Sequence, residues 1–266
     1  MMSVSTCLEF IRIRFLTMLA YRVNYYSGII IYAINIGAYY FLWKAIYGDQ
    51  PSLAGFTAAQ MTTYVAVSWM ARAFYFNNLD REIASEVRDG SVAVQMTRPY
   101  SYLMVKMMQG FGEGLFRLLL FMVPGMVIAC LLFPVKLPTD PKAWAVYLVM
   151  LFFSFLINSQ LNILTGLCAF FIENIDGMIR MKRVLVDLFS GVIVPIAFLP
   201  GWLSAAMQWL PFQAITYLPS AFFTGRTPLG EAGSALGLQL LWFVALLLPI
   251  TFMWRSARKR LFVQGG

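Results

Sequence analysis

Long apolar runs separated by shorter polar segments are the dominant pattern of this chain. Each run approaches the roughly 20 mostly apolar residues that one helix needs to cross a bilayer. The strict alternation of apolar and polar residues that is typical of a membrane barrel does not occur in these runs. The pattern therefore predicts an all-α polytopic membrane protein with six transmembrane helices. The predicted spans cover residues 24–45, 55–77, 108–133, 143–172, 184–200 and 234–254.

Two segments outside the spans also have a predicted conformation. Residues 1–23 place apolar side chains on one side of a helix and Glu9 and Arg12 on another, which is typical of a helix lying in the membrane interface. A frayed extension of the first span is the alternative. Residues 201–223 are apolar but interrupted by Pro211 and Pro219, which predicts a broken or re-entrant hairpin on the outer side. The whole chain, 1–266, then forms a single transmembrane domain.

The longest hydrophilic stretch runs from Asn77 to about Lys106, after the second predicted span, and contains the segment 79–99. Its first part predicts a short helix with apolar residues on one face and Glu82 and Glu86 on another. Gly90 is a natural end for that helix. A charged helix between two spans suits contact with a soluble partner, and an ordinary solvated loop helix is the alternative that the pattern leaves open.

Composition and charge agree with a membrane protein, and the positions of the lysines and arginines predict its orientation. Apolar residues make up 60% of the chain and charged residues 12%, a balance that a soluble domain does not tolerate. The net charge of +8 does not indicate nucleic-acid binding, because the cations lie between apolar runs and not on one soluble face. With a cytoplasmic N-terminus, most of the 20 lysines and arginines fall on the inner side. Both termini are therefore predicted to be cytoplasmic.

Candidate catalytic groups are scarce in the sequence. Histidine is absent, and the three cysteines form no metal-binding pattern. No Gly-x-x-x-x-Gly-Lys-Ser/Thr loop is present to cradle the phosphates of ATP. We expect no catalytic residue and no metal site, and energy, if the protein uses any, comes from elsewhere.

A few polar residues lie within the predicted spans. Glu113 and Arg117 are four residues apart on one helix face, which favours a structural ion pair over a substrate contact. Asn158, Gln160 and Asn162 lie in the fourth span, where their amides need partners. They are predicted to join helices, with a polar transport path as the alternative.

Two smaller expectations concern contacts between helices. Gly110 and Gly114 have the spacing that lets helices approach closely, either within this chain or against a second copy. Asp187 is expected to pair with Arg183, one helical turn earlier.

Three segments together resemble a known family. They are the helix ending at Gly90 with Arg98-Pro99 after it, the stretch 191–202 with the Leu-Pro-Phe and Tyr-Leu-Pro-Ser segments that follow, and the terminal Gly265-Gly266. In order and spacing they resemble ABC transporter permeases of the type-2 exporter superfamily, in particular the short six-span half-permeases.

This resemblance implies a working assembly and a direction of transport. It implies that residues 79–99 are a cytoplasmic coupling segment, that separate ATP-binding-cassette subunits hold ATP and Mg²⁺, and that this chain holds no cofactor. It also implies a second permease, identical or related, and the inner membrane of a prokaryote, with export of an unidentified substrate. The residues that would couple to the ATPase are Glu82, Glu86, Arg88, Asp89, Gly90 and Arg98.

Two other functional classes fit the composition less well. An ion-gradient-driven transporter or channel is expected to carry several ionisable groups at the bilayer midplane, and this sequence offers few. An intramembrane enzyme needs a nucleophile with a base, paired carboxylates or a metal cluster, and none is evident.

Overall fold

The computed structural model describes residues 3–21 and 26–264 and is almost entirely helical. Residues 22 and 23 of the predicted interfacial helix and the terminal Gly265-Gly266 lie outside this described part. Twelve α-helices are present in it: α1 Val4–Ala20, α2 Tyr26–Tyr47, α3 Ala58–Tyr75, α4 Leu79–Arg88, α5 Ser91–Met96, α6 Tyr102–Arg117, α7 Val123–Leu132, α8 Pro141–Leu167, α9 Asp176–Phe189, α10 Gly201–Met207, α11 Tyr217–Phe223 and α12 Ala232–Gln264.

Side-chain caps fix where several of these helices begin. The Ser3 hydroxyl accepts a hydrogen bond from the Thr6 N–H at the start of α1. Thr57 and Gln60 form a capping box at the start of α3. Asp140 caps α8, where Pro141 occupies the first turn and lacks an N–H that would need a partner. Such caps satisfy helix-end N–H groups that have no partner within the helix.

Four helical segments of the described residues are long and apolar enough to cross a membrane. They are Gly28–Tyr47, Tyr102–Leu132, Pro141–Phe170 and Leu229–Arg260. The second of these joins α6 to α7 through one π-helical turn, Leu118–Met122. The all-α membrane fold predicted from the sequence is confirmed in this form, and six crossings remain a prediction.

The helices α3 and α8 form the centre of the bundle. Of the most apolar 18-residue stretch in α8, 56% is buried inside the protein, against 11% of the corresponding stretch in α2. α3 lies within the predicted span 55–77 but carries Thr62, Thr63 and Arg72, so composition alone does not mark it as a membrane helix. Most of its residues are nevertheless buried, because other helices surround it.

Between α8 and α12, the structure has no single continuous helix over residues 184–200, which were predicted as the fifth span. The helix here, α9, begins at Asp176 and ends at Phe189. Gly191 then adopts a positive φ of 90°, and short helical turns follow. The Gly191 backbone accepts a hydrogen bond from the buried Tyr64 hydroxyl at 2.7 Å, so this break packs directly against α3.

The predicted hairpin region, residues 201–223, consists of α10, a 3₁₀ turn at Pro211–Ala214, and α11. Trp202 and Trp209 are 75% and 81% exposed. A feature that the sequence analysis missed is a small antiparallel ribbon after α2, in which Ser52–Leu53 pairs with Phe56–Thr57.

Candidate functional site

Helix α4 is short, amphipathic and partly buried. Leu79 and Ile83 are 1% and 0% exposed and pack in one cluster with Ile163 of α8. At its other end, Gly90 has a φ of 76°, a conformation that glycine adopts without the strain of a side chain. The helix predicted between Leu79 and Gly90 is therefore present, and its apolar face is packed against the spans.

The acidic face of α4 contacts α1 and α6. Glu82 forms ion pairs with Arg14 of α1 and with Lys106 of α6. Glu86 pairs with Lys106 and accepts a hydrogen bond of 2.6 Å from the Tyr102 hydroxyl. Because the Lys106 side chain is only 4% exposed, these carboxylates supply charge compensation that water does not.

Glu113 extends this network into the span α6. Its carboxylate contacts Arg117 at 2.7 Å and Arg14 at 2.8 Å, and its side chain is 3% exposed. The pair between Glu113 and Arg117 is thus formed, with Arg14 as an additional partner that the sequence analysis missed. One charge network joins α1, α4 and α6.

The first turn of α4 is bound on its other side to α8 and α9. Asp80 is fully buried, and its carboxylate accepts a hydrogen bond from Lys182 of α9 at 2.7 Å. Lys182 also donates to Asn162 of α8. Burial lowers the pKa of the Lys182 ammonium group, and the neighbouring Asp80 carboxylate acts against that shift. A charged lysine is retained here because a carboxylate lies beside it.

The carboxamides of α8 join helices, and their NH2 groups donate to backbone carbonyls or to the Asn77 side chain. Asn158 donates to the Tyr75 carbonyl at 2.9 Å, and Asn162 donates to the Asn77 side chain at 2.7 Å. Gln160 donates to the carbonyl of Phe243 in α12 at 2.9 Å. In these contacts the amides hold α8 to the end of α3 and to α12.

Asp187 has a different partner from the expected Arg183. Arg72 of α3 binds it with two parallel hydrogen bonds of 2.9 and 2.7 Å. This two-point geometry makes a stronger pair than a single contact. Arg183 instead donates to the Asn78 side chain at 3.3 Å, so the expectation for Asp187 was wrong. Sequence spacing within α9 does not show that α3 brings an arginine nearby.

The opposite face of the segment 79–99 is open to solvent. Arg88, Asp89, Gly90 and Arg98 are exposed, and Val94 is 62% exposed. The Asp89 carboxylate accepts hydrogen bonds from Ser91, which lower the pKa of Asp89. The residues predicted to couple therefore divide into two groups: Glu82 and Glu86 face the spans, and the other four face outward.

Glycines let the helices approach closely around this site. A Cβ on Gly110 would meet Leu79 of α4 at 3.2 Å, and one on Gly114 would meet the Phe74 carbonyl at 3.0 Å. Gly112 lies closest, because its Cβ would be 2.4 Å from the carbonyl oxygen of Ile11 in α1. Gly110 and Gly114 thus serve packing within this chain.

In the described ranges, 3–21 and 26–264, no group of three or more His, Cys, Asp or Glu side chains could hold a metal ion. The arrangement consists of ion pairs and amide contacts that fasten one short helix to four others. The site therefore attaches α4 mechanically to the surrounding helices.

The sequence profile of the ABC-2 family transporter proteins matches residues 33–265. The chain belongs to the ABC-2 transporter family. No curated protein matches this chain. The match begins within α2 and includes residues 79–99, so the family predicted from the sequence is confirmed.

Membership of the ABC-2 family establishes the general function of the chain. This ABC-2 protein is a membrane component of an ABC transporter and is not itself a catalytic subunit. Its several apolar helices agree with that placement in a membrane.

Proposed function

We propose that this chain is the permease subunit of an ATP-binding-cassette exporter and that a separate ATPase docks on the segment 79–99. The ATPase holds ATP and Mg²⁺, and this chain supplies the path through the inner membrane of a prokaryote. Six spans form half of such a path, so the working unit contains a second permease, identical or related, and two ATPase subunits.

The observation that carries this proposal is the attachment of α4. This helix of ten residues is joined by charged contacts to α1, α6 and α9 and by apolar packing to α8, while its far side is exposed. A force applied to the exposed side therefore reaches four helices through short contacts. An ordinary solvated loop helix does not need this many buried partners.

A groove beside α4 provides a surface for the ATPase. Its volume is about 590 Å³, and its walls come from α4, from the chain after α8 and from α12. Val87, Phe170 and Phe171 supply apolar area. Two lining arginines, Arg88 and Arg260, outnumber the one lining carboxylate, Glu173, so the groove carries net positive charge. An ATPase segment with apolar and acidic side chains is complementary to this groove.

Closure of the ATPase on ATP would press on α4 and reorient the bundle. Because Glu82 and Glu86 bind α1 and α6 while Asp80 binds α9, the three attachments move together with α4. The reorientation would then open the path between the two permeases to the outer side.

Photo-crosslinking tests the docking surface directly. A photoreactive benzoylphenylalanine replaces Val94 in the full chain, which is expressed together with the ATP-binding-cassette subunit. A matched variant carries the same group at Trp209, which is 81% exposed in the outer hairpin region. We expect a crosslink to the ATPase from position 94 and none from position 209.

An uncoupling test follows from the exposed charges. We expect Arg88→Glu to reduce the stimulation of ATP hydrolysis by the permease, while Lys142→Glu, at the exposed start of α8, leaves it unchanged. Equal crosslinking from both positions together with normal coupling in Arg88→Glu would contradict the proposal.

A further inference from the structure

Three arginines from three helices surround one phenylalanine ring. The guanidinium carbons of Arg72, Arg117 and Arg183 lie 5.0, 5.3 and 5.1 Å from the ring centre of Phe76. They belong to α3, α6 and α9. We call these three side chains the arginine cluster. An aromatic face attracts a cation, but one ring compensates for only part of the repulsion among three of them.

The carboxylates near the arginine cluster do not match its charge. The Asp187 carboxylate is already paired with Arg72 through two hydrogen bonds. Glu113 pairs with Arg117 and is shared with Arg14. Positive charge is therefore in excess, even though every nearby carboxylate is engaged.

Arg183 is the member with the weakest compensation. Among the described residues no carboxylate lies within ion-pair distance of it, and its hydrogen-bond acceptor is the Asn78 side chain at 3.3 Å. Partial burial and the nearby Arg81 lower the pKa of Arg183, and the Asp80 carboxylate opposes that shift from a greater distance than an ion pair. Within the described part of the chain, the Nε of Arg117 is in addition a buried donor without an acceptor. The cluster thus holds hydrogen-bond donors and charge that an anion would satisfy.

The neighbourhood of Arg183 also offers apolar surface. Met181, Val184 and Leu188 follow one face of α9 and are 60%, 63% and 38% exposed. A helix turns by about 100° per residue, so Val184 is the member of this stripe nearest to Arg183. The apolar body of a ligand whose anionic head reaches Arg183 would contact the stripe at Val184.

We propose that the arginine cluster binds the oxyanion group, a phosphate or a carboxylate, of an amphiphilic ligand. Guanidinium groups bind such oxyanions with paired, charge-assisted hydrogen bonds. The inference rests on the proposed function in one respect, since it names the chemical class of ligand that the permease carries. The ligand is either an anionic lipid of the bilayer or a separate amphiphile, and both present the same chemistry.

A binding measurement with dodecyl phosphate tests this site. The full chain is placed in nanodiscs of zwitterionic phosphatidylcholine, and radiolabelled dodecyl phosphate is measured by equilibrium dialysis. We expect saturable binding that uncharged dodecyl maltoside does not displace. Repeating the measurement with phosphatidylglycerol in the nanodisc identifies the source: competition indicates that bilayer lipid occupies the site, and unchanged binding indicates a separate amphiphile.

Arg183→Gln is the informative variant, because removing Arg183 leaves no carboxylate without its partner. We expect dodecyl phosphate binding to weaken at least about tenfold, as for the loss of one charge-assisted hydrogen bond. Arg183→Lys, which keeps the charge, should retain part of the affinity. Arg180→Gln, an exposed cation of the same helix, should bind like the unaltered chain, and size-exclusion elution checks that all variants are folded.

Equal affinity of Arg183→Gln and the unaltered chain, or the absence of saturable binding, would overturn the inference. This experiment contains no ATPase, so its failure is separable from failure of the proposed function. Crosslinking at position 94 without dodecyl phosphate binding would refute the arginine cluster as a site and leave the coupling proposal standing.

Discussion

The end of the bundle around α4, called the inner end after its predicted orientation, and the opposite end, called the outer end, are held together by different interactions. Around α4, buried charges join helices that are far apart in sequence, as in the contacts of Asp80 with Lys182 and of Glu82 with Arg14. Between α9 and α12, residues 190–231, no ion pair is found in the described structure. Neutral hydrogen bonds and aromatic contacts hold that region, for example from the Tyr64 hydroxyl to Gly191.

Under the proposed function, this contrast assigns the transmission of force to the inner end of the bundle. A buried ion pair is costly to break, because a charge left without its partner is not solvated. Helices joined by such pairs therefore move together. Neutral contacts at the outer end are individually weaker, so the helices there can separate when the inner end moves. Four substitutions test this comparison.

The largest effect is expected for Asp80→Asn, at the buried junction of α4 and α9. The substitution leaves the Lys182 ammonium group, 17% exposed, without a carboxylate, which destabilises a protein by about 3–5 kcal/mol. SDS titration of the purified chain measures this loss in the free energy of unfolding. The double variant Asp80→Asn/Lys182→Met should regain most of it. A loss below about 1 kcal/mol, the size typical of an exposed pair, would contradict the account.

The next effect concerns the contact between α1 and α6. Gly112→Ala places a Cβ 2.4 Å from the Ile11 carbonyl oxygen, so α1 must shift, at a cost of about 1–3 kcal/mol. Gly237→Ala in α12 is the matched control, since nothing lies within 4 Å of its Cβ. Unchanged unfolding of Gly112→Ala in the same titration would mean that α1 does not pack as described.

A smaller effect is expected at the outer end from Gln239→Leu. Gln239 is fully buried and donates to the carbonyls of Met150 and Ala214 at 3.1 and 2.7 Å. Its removal should cost about 1 kcal/mol, because a neutral hydrogen bond has a modest net value. Gln208→Leu, at an exposed position, should change nothing. A loss as large as that of Asp80→Asn would remove the distinction between the two ends.

The smallest effect is the pH dependence of Asp89. Its pKa lies below the ordinary value of 3.8 because Ser91 donates hydrogen bonds to the carboxylate. The folded state therefore favours ionised Asp89, and this stabilisation is complete above pH 3.8 and is lost as pH falls through the lower folded pKa. The difference in thermal stability between the unaltered chain and Asp89→Ala should vanish on acidification. A difference that grows at acid pH would show the opposite sign.

Local patterns in the sequence predicted local structure well. The pair Glu113–Arg117 and the helix ending at Gly90 depend on residues within one or two turns of each other. Spacing rules apply at that distance.

Contacts between distant segments were not predictable in this way. Arg14 reaches Glu113 because a small residue, Gly112, lets α1 approach α6, and Asp187 pairs with Arg72 because α3 lies inside the bundle. Neither contact can be predicted from the spacing of charges along the sequence. The position of α9 was also missed, because its charged first turns do not resemble a membrane span.

The central claim is that α4 and the rest of the segment 79–99 lie on the cytoplasmic side of the membrane. Labelling of intact cells tests this claim most directly. In a variant whose three native cysteines are replaced by serine, Ser85→Cys places a thiol on the exposed side of α4, and Trp209→Cys places one in the outer hairpin region. A membrane-impermeant maleimide should label position 209 in intact cells and reach position 85 only after the membrane is opened. Labelling of position 85 in intact cells would contradict the account, because the coupling segment would then lie on the side without ATP.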